Sequence, residues 1–141
     1  MKAISIRQPW AWLIVNGYKT IENRTWSTKT RDEVLIHASK LLTKTSYNAV
    51  KQLIQHDPRI AHVADLLPPV TELATGGIVG IVQITGCVPT SDDPWFLDTG
   101  YGFELAGGRP LPFLPCKGKL NFFEVPWAQE SSRQYSLDLR Q

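Results

Sequence analysis

A chain of 141 residues is long enough for one sizeable core and suits a single domain. Its 15 Lys and Arg against 13 Asp and Glu leave a net charge of +2, which excludes a strongly cationic duplex binder; any nucleic-acid contact must use a local patch. Ala3 to Ile6 alternates weakly, as a first strand does. Pro9 suits the first helical position, and the nearly all-apolar run Trp10 to Val15 predicts a short buried helix that stops at Gly17. From Thr20 to Trp26 a strand is expected, with Thr20, Glu22, Arg24 and Trp26 on one face and Ile21, Asn23 and Thr25 on the other. A face with a carboxylate, a guanidinium and an indole reads as the wall of a polar cleft.

After the polar loop at 27–32, Val34 to Ala38 is a buried strand by composition. Thr45 or a neighbour caps a helix whose stripe is Tyr47, Val50, Leu53 and Ile54, and Asp57-Pro58 ends it. A second short helix fits 59–67, before Pro68-Pro69. Gly76-Gly77 opens the longest strand, Ile78 to Val88, apolar on both faces and so central in its sheet. Residues 89–94 are turn-rich, and 95–99 have no clear period. Tyr101 to Leu105 reads as a strand, and 109–118, with Pro110, Pro112 and Pro115, as an extended loop. Leu120 to Val125 is a last strand, giving one domain over 1–126 and a polar tail over 127–141. No apolar run reaches the ~18 residues of a membrane span, and 1–20 lack a signal cleavage site, so a cytoplasmic protein is expected. Cys87 and Cys116 form no CxxC pair, and the three scattered histidines have no metal spacing, so neither metal nor cofactor is expected.

Lys19, Glu22 and Arg24 form the strongest chemical cluster. A lysine held near a carboxylate and an arginine becomes a base or nucleophile when its pKa falls; the alternative is a structural ion pair. On a straight strand Lys19 opposes Glu22, so both reach one cleft only if Lys19 lies in the preceding turn. Trp26 is the best base-stacking candidate, Trp12 reads as core, and Trp10 is open between the two. His37 faces away from Val34, Ile36 and Ala38, either as a cleft group or as a satisfied structural histidine. Ser39 and Lys40 follow as phosphate contacts or a polar strand end. Lys117 and Lys119, with Arg109 nearby, join Lys19, Arg24 and Lys40 in a basic patch or form a solvated loop. The glycines make no phosphate loop.

The stretch IRQPWAWLIVNGYKTIENRTW at 6–26 and LIHASK at 35–40 carry a resemblance, supported by GGIVGIVQITG, YGFEL and PLPFLPCKGKLNFFEV further on. The chain resembles the ASCH family over roughly residues 3–125. That resemblance implies an α+β fold, a PUA-like β-barrel with two or three helices packed at one side, and a role with RNA or nucleotides. In the family's hydrolases of acylated cytidine the motif lysine matches Lys19 and the arginine Arg24, but the threonine position holds Glu22. Those relatives also use a glutamate beyond the central strand, where Asp92, Asp93, Asp98 and Glu104 stand here without a residue-by-residue match.

The expected function is therefore binding of single-stranded RNA, a nucleotide or a nucleoside in a cleft lined by residues 17–26 and 37–40. Arg24, Lys40, Lys19 and Lys117 meet phosphates or base edges, Trp26 or Trp10 stacks, Glu22 and Gln8 read a base, and His37 and Ser39 complete the site. The alternatives are a hydrolase of modified pyrimidine nucleosides or RNA with Lys19 and Glu22 catalytic, and a protein-interaction module.

Overall fold

A computed structural model describes residues 1–127. The elements run β1 (Lys2–Ile6), α1 (Trp10–Val15), β2 (Ile21–Arg24), β3 (Glu33–Ala38), α2 (Lys44–Gln55), two 3-10 segments (Ala61–Leu66 and Val70–Glu72), β4 (Gly77–Val88), β5 (Tyr101–Pro115) and β6 (Phe122–Glu124). All six strands form one curled sheet in the order β2-β5-β4-β3-β1-β6, the α+β, PUA-like architecture expected. As its two apolar faces demand, β4 lies inside the sheet. Its ladder with β5 slips register three times, and such bulges bend and twist a strand.

The curl brings the two ends of the sheet together without a closing ladder. From β2, an edge strand, Arg24 Nη2 donates to the Ser5 carbonyl of β1 at 2.9 Å. Just beyond β2, Trp26 packs edge-on against Phe103 of β5 at 5.2 Å and Phe122 of β6 at 5.5 Å between centroids. One guanidinium and one indole therefore bridge strands that stand far apart in the sheet order.

The core divides by face. Ile4, Ile6, Val34, Ile36, Val82, Ile84 and Phe103 meet Ile14 and Val15 of α1. Leu13 turns to α2 and the 3-10 segments, joining Tyr47, Ile54, Val63 and Trp95. Ala3, Leu35, Ile78, Ile81 and Phe123 pack on the opposite face with Trp127. Trp127 thus belongs to the core rather than to a polar tail; the rest of the expected tail, 128–141, lies outside the described residues. Thr43 is the neighbour of Thr45 that caps α2: its hydroxyl accepts from Ser46 N at 3.0 Å while Ser46 Oγ accepts from Thr43 N at 3.1 Å.

Three local expectations change. Pro9 stands at the N-cap of α1, with Trp10 the first helical residue. Trp12 is half-buried: it packs against the margin of the core cluster around Leu13 and stacks on Tyr18 with centroids 5.6 Å apart, so it lies at the edge of the core rather than inside it. Residues 109–115 are not a loop but the second half of β5. Proline is tolerated there because β2 pairs only with Tyr101–Glu104, which leaves the rest of β5 an open side where a missing N–H breaks no ladder.

Helix α1 presses closely on β4. A methyl at Gly80 would stand 2.6 Å from Val15 Cβ and 2.6 Å from the Arg109 carbonyl oxygen. Gly80→Ala is therefore expected to lower unfolding free energy by about 1–3 kcal/mol through overpacking, measured by urea denaturation. An unchanged midpoint would mean that α1 is free to move off the sheet.

Candidate functional site

Two cavities flank the seam between β2 and β1, sharing Ser5, Arg7 and Arg24 as a common wall. The first, about 560 Å³, lies between the seam, the end of α2 and residues 94–97. The second, about 730 Å³, lies between the seam, residues 37–40 and the loop 116–121. The single expected cleft is thus divided in two.

In the first cavity the Lys19–Glu22–Arg24 cluster is a continuous network. Lys19 occupies the turn before β2, so its Nζ swings onto the Glu22 side. It donates to the Ile21 carbonyl and to Glu22 Oε1 at 3.2 Å, and sits 5.4 Å from the Trp10 ring centroid. Arg24 takes the other carboxylate oxygen, with Nε at 3.0 Å and Nη2 at 2.8 Å from Glu22 Oε2. Lys19 is only 4% exposed, and burial lowers its pKa; pairing with Glu22 opposes that shift and Arg24 adds to it. Trp10 meets the buried Trp95 edge-on at 6.5 Å, and both line the cavity beside Phe96.

The second cavity is a basic groove. Arg7, Arg24, Lys40, Lys117 and Lys119 line it with Ser5, Ser39, Trp26 and Asn121, and among the described residues no acidic side chain does. His37 borders this groove but is buried, with both ring nitrogens engaged. Its Nε2 lies 2.8 Å from the Cys116 carbonyl, which only accepts, so Nε2 carries the hydrogen. Nδ1 lies 2.9 Å from Ser5 Oγ, a hydroxyl that can serve as its hydrogen-bond partner in either sense. The β3–β4 ladder slips between Ile36 and His37, the kind of bulge that re-aims a side chain.

Eight of the ten residues singled out from sequence for ligand contact line these cavities with their own chemistry exposed or paired at the wall, and His37 lines one as a clamp. Gln8 lines neither. It is buried, its Oε1 accepting from Trp12 N at 2.9 Å and its Nε2 donating to the Ala74 carbonyl at 3.0 Å, so it fastens α1 to the chain before β4 and is not placed to read a base. Trp26 lines the basic groove but is half-buried against Phe103 and Phe122, a structural residue with one exposed margin. Of the four acids beyond the central strand, Asp93 is the one turned to this region: it accepts from Thr20 Oγ1 at 2.7 Å and acts on the Lys19 charge. Arg7 and Ser5 were not singled out from sequence although Arg7 lies within the recognised motif and Ser5 borders it, because nothing in the alternation there marks which polar residues face the seam. Trp95 and Phe96 had no sequence signal; Asn23 Nδ2 reaches the Trp95 carbonyl across 72 residues, and such a contact is not readable from local pattern.

The ASCH domain model matches residues 4–101. The chain belongs to the ASCH family. It is 33% identical over 85 residues to human activating signal cointegrator 1, a stretch that is 60% of this chain but 14% of that protein. This ASCH chain therefore spans about one seventh of that relative's length. It is also similar to the crystal structure of ASCH from Zymomonas mobilis, at 14% identity and TM-score 0.49 over 98% of this chain and 94% of that one. A point mutant of the same Zymomonas mobilis protein gives 12% identity and TM-score 0.51 over the same shares. At such identities the likeness concerns the fold. Among the described residues, no helix of the ASCH domain is long and apolar enough to cross a membrane, and no group of three metal-ligating side chains occurs.

The buried lysine has a pH signature. Lys19 has a lower pKa folded than unfolded, so between those two values the unfolded chain binds more protons and stability rises with pH. Below the folded pKa the charged form is held in both states and that slope vanishes. Urea midpoints of wild type are therefore expected to climb on the approach to pH 10.5 relative to Lys19→Met; parallel curves for the two proteins would contradict a lowered pKa.

Proposed function

We propose that this ASCH domain binds single-stranded RNA or a nucleotide across the seam, phosphates in the basic groove and a base in the neighbouring aromatic cavity. The observation that carries the reading is the groove itself: five cations with no acid among its described lining, in a chain whose net charge is only +2. Only Arg24 of the five is held in an ion pair among the described residues, and cations concentrated in one concavity attract a phosphate backbone. The adjoining cavity offers Trp10, Trp95 and Phe96, and splayed single-strand bases rest on aromatic surfaces. Duplex DNA is disfavoured, because a major-groove reader needs a helix or ribbon with a strongly basic face. Here α1 is packed on the sheet, and α2 carries only Lys44 and Lys51 as cations.

Three to five phosphate contacts at about 0.7 each predict a log–log salt slope of roughly −2 to −3.5 for single-stranded RNA. Lys40→Ala and Lys117→Ala are each expected to reduce that slope by about 0.7 while leaving the fold intact. Fluorescence titrations over a range of salt, with duplex DNA alongside, test this. A slope near zero, or tighter duplex binding, would overturn the reading.

A second reading rests on Lys19. A buried amine with a lowered pKa, beside a carboxylate in the wall of an aromatic cavity, has the makings of a base or nucleophile toward a modified pyrimidine nucleoside. Assays of wild type with acylated cytidines decide it: turnover that disappears in folded Glu22→Gln establishes hydrolysis, and no turnover in wild type removes it.

A further inference from the structure

The loop 116–121, between β5 and β6, forms one wall of the basic groove and is held in place. His37 Nε2 donates to its Cys116 carbonyl at 2.8 Å, and Gly118 lies so close over the imidazole that a Cβ there would stand 2.7 Å from His37 Cε1. Asn121 closes the loop with φ 58°, a left-handed conformation that asparagine tolerates. From this anchored base Lys117, Lys119 and Leu120 project outward. Leu120 is 90% exposed, the most exposed large apolar side chain among the described residues, and lines the groove with them.

A single exposed leucine is ordinary on a protein surface. This one stands on a pinned loop, in the wall of a groove otherwise made for anions. Phosphates have nothing to offer an isobutyl group, whereas the face of an unstacked base does. Leu120 also takes no part in the core clusters, so no folding requirement accounts for it. We infer that the loop is a preformed finger that sets Leu120 between neighbouring bases of a bound single strand while Lys117 and Lys119 hold the flanking phosphates. This rests on the RNA reading above and adds to it a contact that unstacks the strand. Apolar wedges between base steps are an established way for proteins to deform nucleic acids. Pre-anchoring through His37 means that little loop entropy is lost on insertion.

The test uses the full chain and short single-stranded oligonucleotides carrying 2-aminopurine, whose fluorescence rises on unstacking. Wild type is expected to bind and raise the signal. Leu120→Ala is expected to bind about tenfold more weakly, as when a leucine buried on binding is cut to a methyl, with the rise lost and the salt slope unchanged. Lys119→Ala is expected to show the opposite pattern, a shallower salt slope with the unstacking signal retained at saturation. Because Leu120 lies outside the core, melting curves of Leu120→Ala should match wild type. Equal affinity and equal fluorescence for wild type and Leu120→Ala would overturn the finger while leaving RNA binding standing. Absence of any oligonucleotide binding by wild type would overturn the RNA reading and the finger with it. If Leu120→Ala instead loses attachment to phosphatidylserine vesicles and keeps its RNA behaviour, the loop is a membrane contact and the inference is wrong.

Discussion

The hydrogen bond from Arg24 to the Ser5 carbonyl is the constraint on which the rest of the site depends. It joins β2, at one edge of the sheet, to β1, four places along the order, and so holds the curl where no backbone ladder closes it. A guanidinium is suited to that task because its planar fork serves several acceptors at once. Arg24 grips Glu22 with two nitrogens and Ser5 with one of them, and Glu22 in turn is gripped by Lys19. Glu22 and Lys19 are withdrawn from water, and desolvation of this kind is tolerable only when each charge finds partners. Removing one member leaves a buried charge uncompensated, so the network acts as a unit.

The same seam divides two electrostatic environments. On one side, charges are neutralised within the wall: Glu22 between two cations, and Asp57 against Arg59, whose guanidinium holds that carboxyl below its usual pKa. On the other side, Lys40, Lys117 and Lys119 face a common space without a carboxylate among the described lining residues. A formal charge of +2 conceals this difference, because the acids that balance the chain lie elsewhere. The field a ligand meets is therefore local, and Arg7 and Arg24 border both cavities.

Two polar residues of the N-terminal motifs serve as fasteners. Gln8 spends its amide on Trp12 and Ala74, and His37 spends its ring on Ser5 and Cys116. Both are buried, where an unpaired polar group is costly and a bidentate one links distant segments. His37 reaches across 79 residues to set the position of a basic loop, so its effect on any ligand passes through Lys117 and Lys119. Motif membership marks a residue as constrained; burial and hydrogen bonds decide whether the constraint is contact or support.

Much of the frame was legible in the chain alone, because local rules govern it. Alternation placed Glu22 with Arg24, two apolar faces placed β4 inside the sheet, and the apolar run after Pro9 placed α1 against the core. The second half of β5 was not legible, since its prolines are acceptable only where a neighbouring strand is missing, and that absence is a property of the assembled sheet. Nor was the division of the site. Ser5, Arg7, Trp95 and loop 116–121 come together through a curl that register slips bend and that the Arg24 bond and the Trp26 indole bridge. Sequence determined which residue types were present and which strand face each occupied. Only the tertiary structure decided that Lys19 swings onto the Glu22 side, that His37 is a clamp, and that the cations gather on one side of the seam, because those outcomes depend on contacts between segments far apart in the chain.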